Sequence, residues 1–241
     1  MSVLLEVCVD SAEGLYSAIE GGADRIELCS ALELGGLTPS QALMELASDA
    51  PIPVYAMIRP RAGSFCFSAE DEAIMAADIG NARNAGLAGV VLGASSLADG
   101  SLDVTLLERL IAEANVLGTT LHRAFDLVPD AETALEQAIA LGFERILTSG
   151  LSQTAEEGLD NLRHLAGKAG KRISIMPGSG VSVGNVGRII EATGATEVHA
   201  SCRVAVEEKD SRAIAFGFAG ERSFRTSAQR VSELKAAIGH I

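Results

Sequence analysis

Two short stretches of the chain repeat one pattern, a glutamate followed two positions later by a cysteine. Glu6 and Cys8 form the first pair, and Glu27 and Cys29 form the second. The residues between them are aliphatic, so on an extended strand each carboxylate and thiol share one face, opposite the face that would pack against helices. Carboxylates transfer protons and bind hard cations, whereas thiolates bind soft ions such as copper(I). The two pairs therefore mark a candidate site for proton transfer or metal binding.

Histidines and arginines follow the same alternation on other predicted strands. Turned inward, His122 and His199 would join Glu6 and Glu27 as candidate catalytic acid–base groups, or as ligands of zinc or manganese. The alternative is structural, a layer of ion pairs that plugs the core, because buried charges need partners. The further residues that this alternation turns inward or places at the strand ends are Tyr55, Met57, Arg59, Arg61, Thr120, Arg123, Asp126, Ser149 and Ser201.

The four cysteines, Cys8, Cys29, Cys66 and Cys202, all fall at or just beyond the ends of predicted strands. Cys8 and Cys29 occupy equivalent positions on adjacent strands, which favours neighbouring sulfur atoms and a thiolate site for copper(I) or zinc. No C-x-x-C spacing occurs, and buried cysteines also serve as small apolar residues. Packing thiols are therefore the alternative interpretation.

A glycine turn follows the seventh predicted strand and precedes a predicted helix. Such turns leave backbone N–H groups free to bind an anion, and many α/β barrels hold phosphate at this position. The residues predicted to bind a small phosphate or carboxylate ligand are Gly178, Ser179, Gly180, Ser149, Arg59, Arg61 and Arg123. A tight turn without a ligand is the alternative.

A strand followed by an amphipathic helix recurs about every 25–30 residues and must position these groups. The predicted strands span residues 3–9, 24–29, 53–59, 88–93, 118–123, 144–149, 172–177 and 195–200. The predicted helices span residues 11–21, 39–48, 69–85, 103–115, 130–141, 154–168, 182–193 and 228–239. Eight such units predict an α/β fold, a single-domain (β/α)8 TIM barrel over residues 1–241, rather than an open doubly wound sheet with its G-x-G-x-x-G turn.

Residue types at the predicted helix ends support these boundaries. Ser11, Ser68 and Asp130 stand where helix N-caps are expected. Glycines, Gly118 among them, stand after the helices, where a left-handed residue is favoured. The segment 203–227 shows little periodicity, so we expect a long irregular segment that covers the barrel mouth, contacts another subunit or is disordered.

Composition limits the partners of the protein. The 241 residues carry a net charge of −13, which argues against nucleic acid and against anionic membrane surfaces. We expect a cytoplasmic protein with reduced thiols, because the N-terminus lacks the features of a signal peptide and no long apolar run occurs. The four lysines fall outside the predicted strands, which argues against a Schiff-base aldolase.

The motifs together resemble the CutC family, named for copper homeostasis. The matching stretches are LEVC at 5–8, GGADRIELC at 21–29, GGLTPS at 35–40, MIRPR at 57–61, FCFS at 65–68, HRAFD at 122–126, LTSG at 147–150, MPGSG at 176–180 and EVH at 197–199. The resemblance implies a cytoplasmic TIM barrel that forms homodimers or higher homo-oligomers and binds copper through Cys8 and Cys29. The chain departs from the family pattern at Ala62 and Ser64, which removes an acidic residue, and at Ser179.

Two functional hypotheses follow. The first is a copper homeostasis protein with Cys8 and Cys29 as ligands. The second is an enzyme that acts on a small anionic substrate, including a phosphorylated one, at the C-terminal end of the barrel. The family name favours the first, whereas the arginines, histidines and glycine turn favour the second, because a copper carrier does not need them.

Overall fold

Eight parallel strands form a nearly closed barrel, which confirms the predicted single-domain TIM barrel. The structure is a computed structural model and describes residues 3–239. The strands are β1 (Leu4–Val9), β2 (Arg25–Leu28), β3 (Val54–Met57), β4 (Gly89–Leu92), β5 (Gly118–Leu121), β6 (Arg145–Thr148), β7 (Ser174–Pro177) and β8 (Glu197–Ala200). Each strand pairs with the next one along the chain from β1 to β7, and β8 pairs with β1.

Helices surround the barrel and cover the aliphatic faces of its strands. They are α1 (Ala12–Glu20), α2 (Gln41–Ala47), α3 (Ala69–Ala85), α4 (Val104–Ala114), α5 (Ala131–Leu141), α6 (Leu159–Ala169), α7 (Val186–Thr193) and α9 (Ala228–Gly239). Leu5, Val7 and Val9 of β1 are fully buried in this outer core, as the alternation predicts. No helix within residues 3–239 combines the length and the apolarity needed to span a bilayer.

The barrel seam lies between β7 and β8, where no β-ladder forms within the described part of the chain. The N–H groups of Ser174 and Gly178 donate to the carbonyl groups of Glu144 and Thr148, on the β6 side, so by alternation the backbone nitrogens of residues 175 and 177 face β8. Residue 177 is a proline and has no N–H group to donate. The sequence therefore removes one of the donors that a β7–β8 ladder would need.

Side-chain caps at Ser11, Ser68 and Asp130 confirm three predicted helix starts, and Ser68 forms a capping box with Asp71. Two other helices begin later than predicted, α6 at Leu159 instead of 154 and α7 at Val186 instead of 182. The residues that precede them form turns instead. The Ala155 N–H group, for example, donates to the Ser179 carbonyl.

The segment 203–227 is not irregular as predicted. It contains a β-hairpin, β9 (Arg203–Glu207) and β10 (Arg222–Thr226), joined through the short helix α8 (Ser211–Ala215). The sequence does not reveal these strands because their residues are exposed or half-buried and β10 has no uniformly apolar face. Thr226 lies against Gly14 of α1, so the end of the hairpin packs on the outer helical layer.

Candidate functional site

A buried ion network closes the lower part of the barrel interior. The guanidinium group of Arg25 donates to Glu6 and also to Oε2 of Glu197, at 2.6 Å. Arg145 donates to the same Glu197 oxygen at 3.2 Å and to Oγ1 of Thr120 at 2.9 Å. Our reading of the sequence missed Arg25, Arg145 and Glu197 as interior residues. Each begins its strand on the inward face. Extending the alternation by one step from Glu27 and His199, and by two steps from Ser149, would have identified them.

Tyr55 fills the space beside this network. Its hydroxyl donates to Oε2 of Glu144 at 2.9 Å, and the Arg145 guanidinium carbon lies 4.9 Å from its ring centroid. A Cβ atom added at Gly118 would lie 2.3 Å from the Tyr55 hydroxyl oxygen. The absence of a side chain at Gly118 therefore leaves room for the Tyr55 ring. Our prediction that Gly118 ends the preceding helix is wrong, because Asn115, at φ 53°, ends α4 instead.

The strand register brings Glu6 and His199 together above the network. The two residues are Cα partners on β1 and β8, and Oε1 of Glu6 lies 2.8 Å from Nδ1 of His199. Burial alone would raise the pKa of Glu6, but His199 and Arg25 outweigh it and lower the pKa to about 2. Glu6 is therefore ionised and holds the imidazole ring in one orientation.

The register also pairs Cys8 of β1 with Glu27 of β2. One ligand atom each from Cys8, Glu27 and His199 lie within 4.8 Å of one another, and all three residues are buried. Nε2 of His199 is 3.8 Å from Oε2 of Glu27, whose Oε1 atom is buried without a hydrogen-bond partner. Burial raises the pKa of Glu27. Burial alone would lower the pKa of His199, but Cys8 and Glu27 raise it well above its usual value.

The other thiols occupy different environments. Cys29 is fully buried beside Tyr55 and Met57, and its Sγ atom donates to Oε2 of Glu27 at 3.6 Å. Burial and the adjacent Glu27 raise its pKa well above the usual value. Cys8 and Cys29 do not lie side by side, because the Cα partner of Cys8 is Glu27, two residues before Cys29. Cys66 and Cys202 are half-buried and lie outside the group formed by Cys8, Glu27 and His199.

A cavity of about 340 Å³ opens above this group at the C-terminal ends of the strands. Its lining includes most of the polar residues expected there. The polar or charged lining residues are Cys8, Glu27, Arg59, His122, Arg123, Ser179, His199, Ser201 and Arg203. Leu32, Met57, Phe65, Leu147 and Val181 supply apolar walls. A cavity of this size and mixed lining is typical of a small-molecule site.

Arg59 and His122 face each other across Phe65 on one wall of the cavity. The Arg59 guanidinium carbon lies 4.8 Å from the Phe65 ring centroid, and the rings of Phe65 and His122 are 4.7 Å apart. Arg59 donates to the carbonyl groups of Leu34 and Gly63, each at 2.8 Å. Within residues 3–239 no carboxylate forms a salt bridge with Arg59. The hydrogen-bond acceptors of its guanidinium group are neutral carbonyls, and burial together with the charge of nearby Arg61 lowers the pKa of Arg59.

Two other predicted anion-binding arginines are already paired. Arg61 binds Oδ2 of Asp71 at 2.9 Å and lies outside the cavity lining. Arg123 lines the cavity but binds Oδ2 of Asp126 at 2.7 Å and donates to Ser149. Ser149 in turn donates to Asp126. These contacts organise the loops around the mouth.

Several polar groups of the glycine turn form hydrogen bonds within the protein. The Gly178 N–H group donates to the Thr148 carbonyl, and the Ser179 hydroxyl donates to the Gln153 carbonyl at 2.7 Å. Ser179 has a φ of 72°, a conformation that favours glycine. Ser179 and Gly180 line the cavity, whereas Gly178 packs against Leu147 and His199 beneath it.

Comparison with known proteins identifies close relatives. The model of the CutC family matches residues 3–204. A CutC family protein of Rhizobium meliloti (strain 1021) is 53% identical over 236 residues, covering 98% of this chain and 96% of the relative. One from Caulobacter vibrioides (strain NA1000 / CB15N) is 52% identical over 238 residues, covering 98% and 97%.

Solved structures are similar to this chain as well. The structure of a protein from Streptococcus agalactiae, described as copper homeostasis protein CutC, superposes with a TM-score of 0.79 at 32% identity, covering 83% of this chain and 98% of that one. Thiamine phosphate pyrophosphorylase from Pyrococcus furiosus superposes with a TM-score of 0.61 at 15% identity, covering 99% and 96%. The latter likeness shows the barrel fold alone.

Proposed function

The chain belongs to the CutC family, and on this premise we propose that it binds copper at the mouth of the barrel, with Cys8, His199 and Glu27 as ligands. The observation that carries the proposal is the convergence of a thiol, an imidazole and a carboxylate, all buried, within 4.8 Å. They come from three adjacent strands, so the barrel holds them rigidly. The name of the Streptococcus agalactiae relative connects this architecture with copper homeostasis.

The donor atoms fit such an ion. Copper(I) accepts thiolate sulfur and imidazole nitrogen, and the Glu27 carboxylate would balance charge or complete the coordination. The Oε1 atom of Glu27 is buried and has no hydrogen-bond partner. A bound ion would give this buried atom a partner.

The groups behind the ligands also favour metal binding. Histidine ligands usually donate their second ring N–H group to a carboxylate, which fixes the ring and strengthens the donor nitrogen. Glu6 accepts from Nδ1 of His199 in this way, and Arg25 in turn binds Glu6. Nε2 of His199 is left for the ion.

The family resemblance implies a different ligand pair, Cys8 with Cys29. Cys29 would first have to lose its proton against a raised pKa and then turn from Glu27 towards the cavity. We therefore assign Cys29 a supporting role, as a hydrogen-bond donor that holds Glu27. The enzyme hypothesis, with Glu6, Glu27, His122 and His199 as catalytic groups, stays a prediction.

Copper(I) titration of reduced protein against a competing chelator, without oxygen, tests the ligand set. We expect one copper ion per chain for the wild type and for Cys29→Ser, and loss of tight binding for Cys8→Ser. Cys66→Ser is the matched control outside the cluster. Loss of binding in both Cys8→Ser and Cys29→Ser would favour the two-thiol site instead. Unchanged binding in Cys8→Ser would overturn both versions.

We further propose that the protein works in the cytoplasm as a homo-oligomer. Reduced thiols, which copper(I) binding needs, persist in that compartment. The hairpin region contains Phe216 and Phe218, which are 71% and 86% exposed, and exposed apolar patches often mark an interface. Sedimentation of the wild type and Phe218→Ser should give a dimer or larger species for the first and a monomer for the second. A monomeric wild type would contradict this.

A further inference from the structure

Arg59 carries a buried positive charge that no acidic group of the described chain neutralises. It is 5% exposed, and its Nη atoms donate to the carbonyl groups of Leu34, Gly36 and Gly63. Its Nε atom is buried and has no acceptor. Carbonyl dipoles satisfy individual donors but leave the net charge, and a buried unpaired charge is strongly unfavourable.

His122 presents a second unpaired donor on the same wall. Its Nδ1 atom accepts from the Ala124 N–H group at 3.2 Å, which places the proton of the neutral ring on Nε2. Burial and the nearby Arg59 lower the pKa of His122 to about 3, so the ring is neutral at physiological pH. The Nε2–H group is buried and has no acceptor.

The ring cannot turn to relieve this. A Cβ atom placed on Gly93 would lie 2.5 Å from Nδ1 of His122, which shows how closely that edge packs on β4 and the loop after it. Phe65 holds the ring face at 4.7 Å. The Nε2–H group therefore stays unpartnered in this ring orientation, and His122 lines the cavity together with Arg59.

We infer that the barrel mouth binds a small organic acid, whose carboxylate or phosphate group accepts hydrogen bonds from Nε of Arg59 and Nε2 of His122. An oxyanion would satisfy both donors and neutralise the guanidinium charge, whereas a water molecule would leave that charge uncompensated. The rest of the ligand would extend across the cavity towards Cys8, Glu27 and His199. This inference goes beyond copper binding, because the anion-binding wall contains none of the proposed metal ligands.

The test uses metal-free, full-length protein, with inorganic phosphate and acetate as separate probes. The ¹H–¹⁵N signals of the arginine Nε–H groups and the histidine rings report binding directly. We expect saturable shifts of the Arg59 Nε–H and His122 Nε2–H signals with at least one probe, and the stronger probe identifies the chemistry of the anionic group. Absence of saturable shifts at these two residues with either probe would overturn the inference, and this readout needs no variant.

Variants then locate the site. His122→Phe keeps an aromatic ring but removes the donor, so we expect about tenfold weaker binding of the probe. Arg61→Lys, which changes a paired arginine outside the cavity, should bind as the wild type does. Equal affinity in the wild type and a folded His122→Phe would place the anion elsewhere and overturn the inference. Cys8→Ser should bind the anion as the wild type does. Anion binding can therefore be confirmed or contradicted whether or not the protein binds copper.

Discussion

Nδ1 of His199 lies 2.8 Å from Oε1 of Glu6, and this contact joins the candidate site to the ion network beneath it. Glu6 is also the acceptor for Arg25. A single carboxylate thus sets the orientation of a proposed copper ligand and balances a buried guanidinium group. Substitution of this carboxylate should affect both metal affinity and stability.

Glu6→Gln should weaken copper(I) binding by about 10- to 100-fold, because it removes the ionised acceptor that orients His199. Competition titration measures the affinity, and urea unfolding measures the accompanying loss of stability. Glu13→Gln is the matched control, because Glu13 is exposed and its one salt-bridge partner within residues 3–239 is Arg225, at 3.5 Å. Equal copper affinity in Glu6→Gln and Glu13→Gln would show that Glu6 does not support the ligand.

Copper binding should strengthen as the pH rises. Cys8 and Glu27 raise the pKa of His199 well above its usual value, against the lowering effect of burial. The imidazolium form cannot ligate a metal through Nε2, so binding must release this proton. Apparent affinities measured from about pH 6 to about pH 9 should therefore increase beyond the ordinary histidine range. His199→Gln should lose most of the affinity and the histidine's share of the pH dependence, while the proton released by the Cys8 thiol still contributes. A pH-independent wild type would contradict the assignment.

The fold and the positions of the site residues could be predicted because they depend on local patterns. The recurring strand and helix units predict the barrel, and alternation along single strands turns Glu6, Cys8, Glu27 and His199 inward. The partners of each residue depend on the register between strands, which no local pattern specifies. The pairing of Cys8 with Glu27, in place of Cys29, is a consequence of that register.

Loop contacts determine which of the predicted anion-binding arginines already have a carboxylate partner. Arg59, Arg61 and Arg123 look alike in the sequence, yet Asp71 and Asp126 neutralise two of them. Asp126 follows Arg123 closely, so that pair could have been anticipated. The pairing of Arg61 with a helix N-terminal aspartate ten residues later could not, because it depends on how the loop folds back.

The wild type should lose stability in acid partly through His122. Its pKa is about 3 in the folded protein and 6.5 in the ordinary state, so the unfolded chain binds the extra proton between these values. Stability present above pH 6.5 is therefore lost as the pH falls towards about 3, by at most about 5 kcal/mol. Urea unfolding across this range should show a flatter acid profile for His122→Phe than for the wild type. Parallel profiles for the wild type and His122→Phe would contradict this.

Gly118→Ala should destabilise the barrel by about 1–3 kcal/mol, because the added methyl group overpacks the interior. Its Cβ atom would lie 2.3 Å from the Tyr55 hydroxyl oxygen and 2.7 Å from Oε2 of Glu144. In the Tyr55→Phe background, which lacks that hydroxyl, Gly118→Ala should reduce the stability by less than it does in the wild type. Gly167→Ala, at an open position within α6, should instead stabilise the protein by about 0.5–1 kcal/mol. If thermal unfolding shows the same stability for Gly118→Ala and the wild type, the Tyr55 ring does not occupy the space above Gly118. The packing of Arg145 against that ring would then be wrong as well.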